Sequence, residues 1–212
     1  MTGSTLVKRM FTPVSGYLCA MVFAVHAFGA PNEREAQAAL NAGNYTEAIR
    51  QFTRFASQGS ATAQYSLGLI FSRGYGTPEN FSTAANWYKK AADQAHVEAQ
   101  FDLGALYLRG EGVPQDASQA AKWWRKAASA GDAFAQRSLG DLYLKGDGVK
   151  RDLVQAYKWK MLSEPRHNAG RIPWGALGMR SLAKLLTPKQ LGAGQRAVRK
   201  WIVSKKVQPT VD

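Results

Sequence analysis

The sequence is poor in cysteine and histidine, the residues that most often carry nucleophilic and metal chemistry. It contains one cysteine, Cys19, and three histidines in 212 residues. With Cys19 in a segment that we expect to be cleaved off, the mature chain has no thiol for a disulfide, a cysteine nucleophile or a zinc–thiolate site. His96 and His167 have no acidic cluster near them in the sequence, and we expect His96 to be a surface residue in a turn. The sequence therefore predicts no catalytic residue, no metal and no cofactor.

Long apolar runs are also scarce, and the one that stands out lies near the N terminus. Two basic residues precede an apolar stretch over residues 17–28, and small residues follow. This order is typical of a secretory signal peptide, and the stretch is shorter than the roughly 20 residues of a membrane span. Residues 1–29 are therefore predicted to be a signal peptide, cleaved after Gly29 or after Ala27. The protein is then periplasmic or secreted, with an uncleaved membrane anchor as the alternative.

Acidic residues are scarce in the C-terminal third of the chain. Residues 150–212 contain 14 Lys or Arg against 3 Asp or Glu, whereas residues 31–149 contain 12 of each. The net charge of +13 therefore belongs mainly to the C-terminal third.

The middle of the chain has few β-branched residues, which favours helix, and it repeats itself every 36 residues. The pairs Ala-Gln and Leu-Gly, two turn glycines and a tryptophan all recur with this spacing. The positions are Ala63-Gln64, Ala99-Gln100 and Ala135-Gln136; Leu67-Gly68, Leu103-Gly104 and Leu139-Gly140; Gly74, Gly110 and Gly146; Gly76, Gly112 and Gly148; and Trp87, Trp123 and Trp159.

Each unit has the pattern of two helices joined by a glycine-rich turn. In the second unit, Ala99, Leu103 and Leu106 share one face of a first helix, and a second helix follows the turn over residues 110–114. Glycine ends the first helix, and proline cannot continue it. Asp116 is placed to cap the second helix, as are its counterparts in the other units, Asn80 and Asp152.

Small and large residues in the units predict how the helices pack. A glycine inside a helix costs about 1 kcal/mol relative to alanine, so Gly68, Gly104 and Gly140 indicate that a neighbouring helix approaches closely. We expect the recurring tryptophan of the second helix to supply the matching bulk and to fill the space between stacked units.

The pattern over residues 99–128 resembles a Sel1-like repeat of bacterial type: Ala-Gln-x-x-Leu-Gly-x-Leu-Tyr, then Gly-x-Gly-Val-x-x-Asp, then Ala-x-x-Trp. The resemblance implies an all-α fold, a right-handed helix-turn-helix solenoid similar to tetratricopeptide repeats. It implies three Sel1-like repeats over residues 63–163, preceded by a degenerate tetratricopeptide-like opening unit over 30–62. Residues 164–212 are predicted to form a basic helical C-terminal cap, with a helix from Thr187 and Pro188 to about Lys200 or Trp201.

The family resemblance implies a scaffold that holds complexes together. We therefore expect an exported, non-catalytic adaptor that binds another protein or peptide. A basic stripe in the C-terminal cap is a candidate partner-binding surface, with nucleic acid an improbable ligand for an exported chain. Its residues are Lys189, Arg196, Arg199 and Lys200.

Two alternatives stay open. One is a basic tether to an anionic envelope surface through the same stripe. The other is a hydrolase of cell-wall or β-lactam substrates, because Ser181-x-x-Lys184 matches part of the signature of penicillin-binding enzymes. Cysteine-rich relatives of the fold are linked to that activity, but this chain lacks their paired cysteines and the other signature motifs. Turnover of nitrocefin that Ser181→Ala abolishes would support the hydrolase.

Overall fold

In the computed structural model, residues 32–164 and 176–206 are described, and they form ten α-helices and no β-strand. The predicted all-α solenoid is confirmed. The predicted signal peptide, Cys19 and His167 lie outside the described residues. In chain order the helices are α1 (Glu33–Asn41), α2 (Tyr45–Ser57), α3 (Ala61–Arg73), α4 (Phe81–Asp93), α5 (Val97–Arg109), α6 (Ala117–Ala130), α7 (Ala133–Lys145), α8 (Leu153–Leu162), α9 (Ala176–Lys184) and α10 (Pro188–Lys206).

The helices stack in chain order, each against the next, from α1 to α8. The first helices of the three repeats are α3, α5 and α7, and the second helices are α4, α6 and α8. Helices α9 and α10 both pack against α8 and cover the C-terminal end of the stack. Apolar contacts therefore continue from one unit to the next, as a solenoid requires, because a single hairpin cannot bury its own apolar face.

The predicted glycine stops and helix caps are confirmed. Each first helix of a repeat ends at a glycine in the left-handed conformation, as at Gly110 with φ 71°. The carboxylate of Asp116 accepts hydrogen bonds from the amides of Ser118 and Gln119 and so caps α6, and Asp152 caps α8 in the same manner. The side-chain oxygen of Asn80 caps α4 by accepting one bond, from the amide of Thr83. Thr187 caps α10 as expected, through the amide of Gln190.

The last helix is longer than predicted. It runs to Lys206, beyond the expected end at Lys200 or Trp201. The additional turn is stabilised by packing, because Trp201 and Ile202 lie against the apolar cluster of the second and third repeats. Tertiary contacts thus extend the helix past the point at which local signals alone predict its end.

The glycines inside the first helices do face bulky side chains, but the predicted partner was wrong. A Cβ at Gly104 would lie 2.6 Å from Cδ1 of Trp124, and one at Gly68 would clash with the ring of Tyr88. These partners, Tyr88 and Trp124, each follow a recurring tryptophan directly in the sequence. The tryptophans themselves fill space between units as predicted: Trp123 is 8% exposed and packs in the core cluster formed with the preceding unit.

Three buried glutamines join consecutive units. Each donates its side-chain amide to a backbone carbonyl near the end of the preceding second helix, where helix carbonyls have no partner within the helix. The bonds run from Gln64 to Ala56 (3.2 Å), from Gln100 to Ala92 (3.1 Å) and from Gln136 to Ala128 (3.1 Å). The recurring Ala-Gln pair of the sequence therefore holds neighbouring units in register.

The turn inside each repeat touches the unit before it. The second turn glycine of the middle repeat, Gly112, has φ 69°, and its Cα lies against the backbone of Phe81 and Ser82 at the start of α4. Gly148 lies against the backbone at the start of α6 in the same way. Both positions therefore require glycine for two reasons: the left-handed backbone conformation and the close approach of the neighbouring backbone.

Candidate binding surface of the first helices

The first helices of the repeats leave one side uncovered, which we call the first-helix face. It consists of positions that recur with the 36-residue spacing and are exposed or half-buried in every repeat. These positions are Thr62, Glu98 and Phe134; Tyr65, Phe101 and Arg137; and Leu69, Ala105 and Asp141. The core buries these side chains only in part or not at all, so this face is available for contacts with another molecule.

An aromatic line leads from the core to the surface of this face. The Phe134 side chain is 71% exposed, although Thr62 and Glu98 occupy the same position in the other repeats. Its ring lies 6.1 Å from that of the half-buried Phe101, which stacks on Trp124 at 6.1 Å. The indole nitrogen of Trp124 donates to the carbonyl of Phe101 at 2.9 Å. The exposed aromatic ring therefore rests on a fixed support, which lowers the entropy lost on binding.

A second aromatic group lies at the junction of the first two repeats. Tyr65, the counterpart of Phe101, stacks on the ring of His96 at 4.6 Å and donates its hydroxyl to the carboxylate of Asp102 at 3.2 Å. Burial raises the pKa of Asp102, although the bond from Tyr65 opposes the shift. Burial, and then the charge of Asp102, raises the pKa of Tyr65. Both groups are polar but partnered, so this junction is a structural contact as well as part of the surface.

His96 is not the surface residue that the sequence predicted. Its side chain is 17% exposed, and Nδ1 accepts the amide hydrogen of Ala99 at 3.4 Å, so His96 caps α5. Ser60 and Asp132 cap α3 and α7 at the equivalent positions. The spacing of 36 between these three residues was the sequence signal for the role, but histidine is not among the usual capping residues.

Acidification is expected to weaken this cap. Burial lowers the pKa of His96 below its ordinary value, with the nearby Glu98 carboxylate opposing the shift. Because the native state favours the neutral imidazole, the unfolded chain takes up the proton first and stability falls as the pH drops below about 6.5. We expect His96→Asn, which caps without titrating, to remove the part of this stability loss that His96 causes between pH 7 and pH 5. Urea unfolding at several pH values measures this.

The matched control for that measurement is Ser60→Asn, which changes the equivalent cap of α3 without removing a titrating group. It should leave the dependence on pH between 5 and 7 as it is in the natural chain. An unchanged dependence in His96→Asn would contradict the assignment of this titration to His96.

One cation per repeat lies in the last turn of each first helix. Arg73, Arg109 and Lys145 recur with the 36-residue spacing and are all exposed. Arg109 pairs with Glu111 at 2.8 Å. Cations at these positions stabilise the negative end of the helix dipole, and they also give this edge of the face a positive charge.

The basic stripe predicted in the C-terminal cap lies on α10. All four of its residues are exposed there: Lys189, Arg196, Arg199 and Lys200. Ser181 and Lys184 of the hydrolase alternative lie exposed on α9.

The described ranges contain no group of three His, Cys, Asp or Glu side chains placed to hold a metal ion. None of the ten helices given above is both long and apolar enough to cross a bilayer.

The fold defines a solenoid of helix-turn-helix units, a class in which each unit contacts its neighbours and the stack exposes an extended face. The Sel1 repeat family matches residues 61–96, 97–132 and 133–159, and the chain therefore contains three Sel1 repeats. The matched repeats begin two residues before the predicted units, directly after the three capping residues.

Two solved structures are similar to the chain. A Sel1 repeat protein from Oxalobacter formigenes is 31% identical, with a TM-score of 0.60 over 62% of this chain and 54% of that chain. A protective antigen present in uropathogenic Escherichia coli strains, which displays an SLR fold, is 30% identical, with a TM-score of 0.64 over 92% of this chain and 48% of that chain. The chain spans about half the length of both. No curated protein matches it.

Proposed function

We propose that the protein is an exported, non-catalytic scaffold that binds another protein or peptide through its first-helix face. The observation that carries this proposal is Phe134, a large apolar side chain that is 71% exposed and supported from below by Phe101. A ring this exposed adds little to the stability of the core, whereas aromatic anchors of this kind dominate the binding energy at protein interfaces.

The charges around the ring indicate the partner. The cations in the last turns of the first helices line one edge of the face, and Arg137 lies one turn after Phe134. A segment that places an apolar side chain against Phe134 and acidic side chains toward the exposed Arg137 and Lys145 would complement both features. Protein binding is also the general use of helical solenoids.

A photo-crosslinking experiment in intact cells tests the binding face. A photoreactive phenylalanine analogue at position 134 is expected to give one discrete crosslinked partner, because the ring lies in the interface. The matched control is the analogue at Met161, an apolar residue of α8 that is 37% exposed and lies outside the face. Adducts of equal yield at both positions, or none at position 134, would contradict the proposal.

The purified partner then gives the energetic test. Phe134→Ala is expected to weaken its binding at least about tenfold, because buried aromatic anchors contribute about 2 kcal/mol or more. Export is tested separately by mass spectrometry of the mature N terminus in fractionated cells, with an unprocessed cytoplasmic chain as the contradicting result.

A further inference from the structure

The exposed side of α10 carries positive charge that nothing on its own helix balances. The four residues of the basic stripe are exposed, and α9 and α10 contain no Asp or Glu. In the described part of the chain, no ion pair involves any of the four. A concentration of unpaired cations raises the local attraction for anions by several times the thermal energy.

These cations are aligned along the helix. At about 100° per residue, Lys189, Arg196 and Lys200 fall on nearly one line, with Arg199 on its flank. Val203, which is 60% exposed, continues the same line. From Lys189 to Val203 the strip is about 21 Å long, since the helix rises about 1.5 Å per residue.

The opposite side of α10 is fixed to the repeats. Gly194 is buried so closely against Tyr157 that a Cβ would lie 2.7 Å from Cδ1 of the ring. Val198 and Ile202 pack against the apolar cluster that contains Trp159. The apolar side of the helix is therefore packed against the repeats, and the helix presents its basic side outward without a conformational change.

We propose that this strip binds the surface of an anionic phospholipid bilayer. A single helix side is convex, so it meets a flat array of phosphate headgroups along its whole length, whereas a peptide ligand is better held in a recess. Cations followed by an exposed valine match the interfacial region of a bilayer, where headgroups and the first methylenes lie together. Trp201 is half-buried on the packed side of the helix, so the strip offers no exposed ring on which nucleic-acid bases could stack.

Vesicle binding by the full-length mature chain tests this proposal. Vesicles of phosphatidylcholine alone are compared with vesicles that contain phosphatidylglycerol. The chain is expected to bind only the anionic vesicles, and raising NaCl from about 0.05 M to about 0.5 M should weaken binding at least about tenfold. The quadruple variant Lys189→Gln, Arg196→Gln, Arg199→Gln, Lys200→Gln should weaken binding at least about tenfold at low salt.

The matched control removes the same charge elsewhere. Arg34→Gln, Arg54→Gln, Lys122→Gln and Lys150→Gln alter four exposed cations of the repeats and their opening unit. This variant should keep at least about a third of the vesicle affinity, because net charge falls equally but the strip remains. Circular dichroism establishes that both variants are folded.

Three results would overturn the proposal: equal losses in the two variants, no binding to anionic vesicles at low salt, or tighter binding to polyglutamate or duplex DNA than to the vesicles. Because Phe134 lies on another helix, the outcome is independent of the crosslinking experiment on the first-helix face.

Discussion

Gly112→Ala is expected to lower the free energy of unfolding by about 3 kcal/mol. An alanine in the left-handed conformation costs about 1–2 kcal/mol, and overpacking adds about 1–3 kcal/mol. The overpacking arises because a Cβ at this position would collide with the backbone of Phe81 and Ser82, which cannot rotate away as a side chain can. The turn must therefore move off the start of α4, and the junction between the first two repeats loosens.

The matched control for this change is Gly131→Ala. Gly131 has φ 113°, and a Cβ there would have nothing within 4 Å, so only the conformational cost remains, about 1 kcal/mol. Ala95, at the equivalent position one repeat earlier, already adopts φ 64°. A helical repeat thus tolerates alanine at this position but should not tolerate it at Gly112.

The measurement is urea unfolding followed by two probes. Five of the six tryptophans follow Gly112 in the sequence, so fluorescence reports mainly the C-terminal side, whereas circular dichroism reports all helices. Because solenoid units are coupled only to their neighbours, a weak junction should separate the two unfolding curves. Coincident curves with a loss no larger than that of Gly131→Ala would contradict the predicted role of the turn.

Trp124→Ala is expected to lower the free energy of unfolding by about 4 kcal/mol, the usual range for a buried tryptophan replaced by alanine. The Trp124 side chain is 4% exposed and fills the space that Gly104 leaves open. The substitution also removes the hydrogen bond to the carbonyl of Phe101 and the ring on which Phe101 stacks. The support of Phe134 is lost, so partner binding should weaken as well.

Phe134→Ala separates the two effects of that change. It removes an exposed ring, so it should alter the free energy of unfolding by less than about 0.5 kcal/mol while it weakens binding. Thermal unfolding and the affinity for the crosslinked partner measure the two quantities. A loss of stability in Phe134→Ala comparable to that in Trp124→Ala would show that Phe134 belongs to the core.

Local rules predicted the turns inside the repeats, because a glycine stop or an Asp cap acts within a few residues. Gly110 and Asp116 are of this kind, and their roles follow from the sequence alone. The partner of Gly104 did not follow, since Trp123 and Trp124 are adjacent and only the rotation of α6 against α5 decides which ring meets the glycine. The amide of Gln100 likewise needs a partner from the preceding unit, which no local pattern specifies.

The candidate surface was predicted in general terms but not in its residues. A solenoid implies an exposed face, yet the repeat pattern does not single out Phe134, because this residue lies outside the recurring core positions. The signal was present: the other repeats have Thr62 and Glu98 at that position, so an apolar residue there departs from the pattern. The stripe on α10 could be proposed from sequence, because helical spacing and the absence of acidic residues suffice to align Lys189 with Lys200.

The junctions between units determine how the number of repeats could change during evolution. Each capping residue, turn glycine and buried glutamine contacts its partner at the same offset in successive units, so one whole unit of 36 residues could be duplicated or deleted without losing these recurring contacts. Insertion after Asp132 would lengthen the array and leave α8 and its covering helices unchanged. The breadth of the surface offered to a partner is thus adjustable in discrete steps, independently of the two ends that close the array.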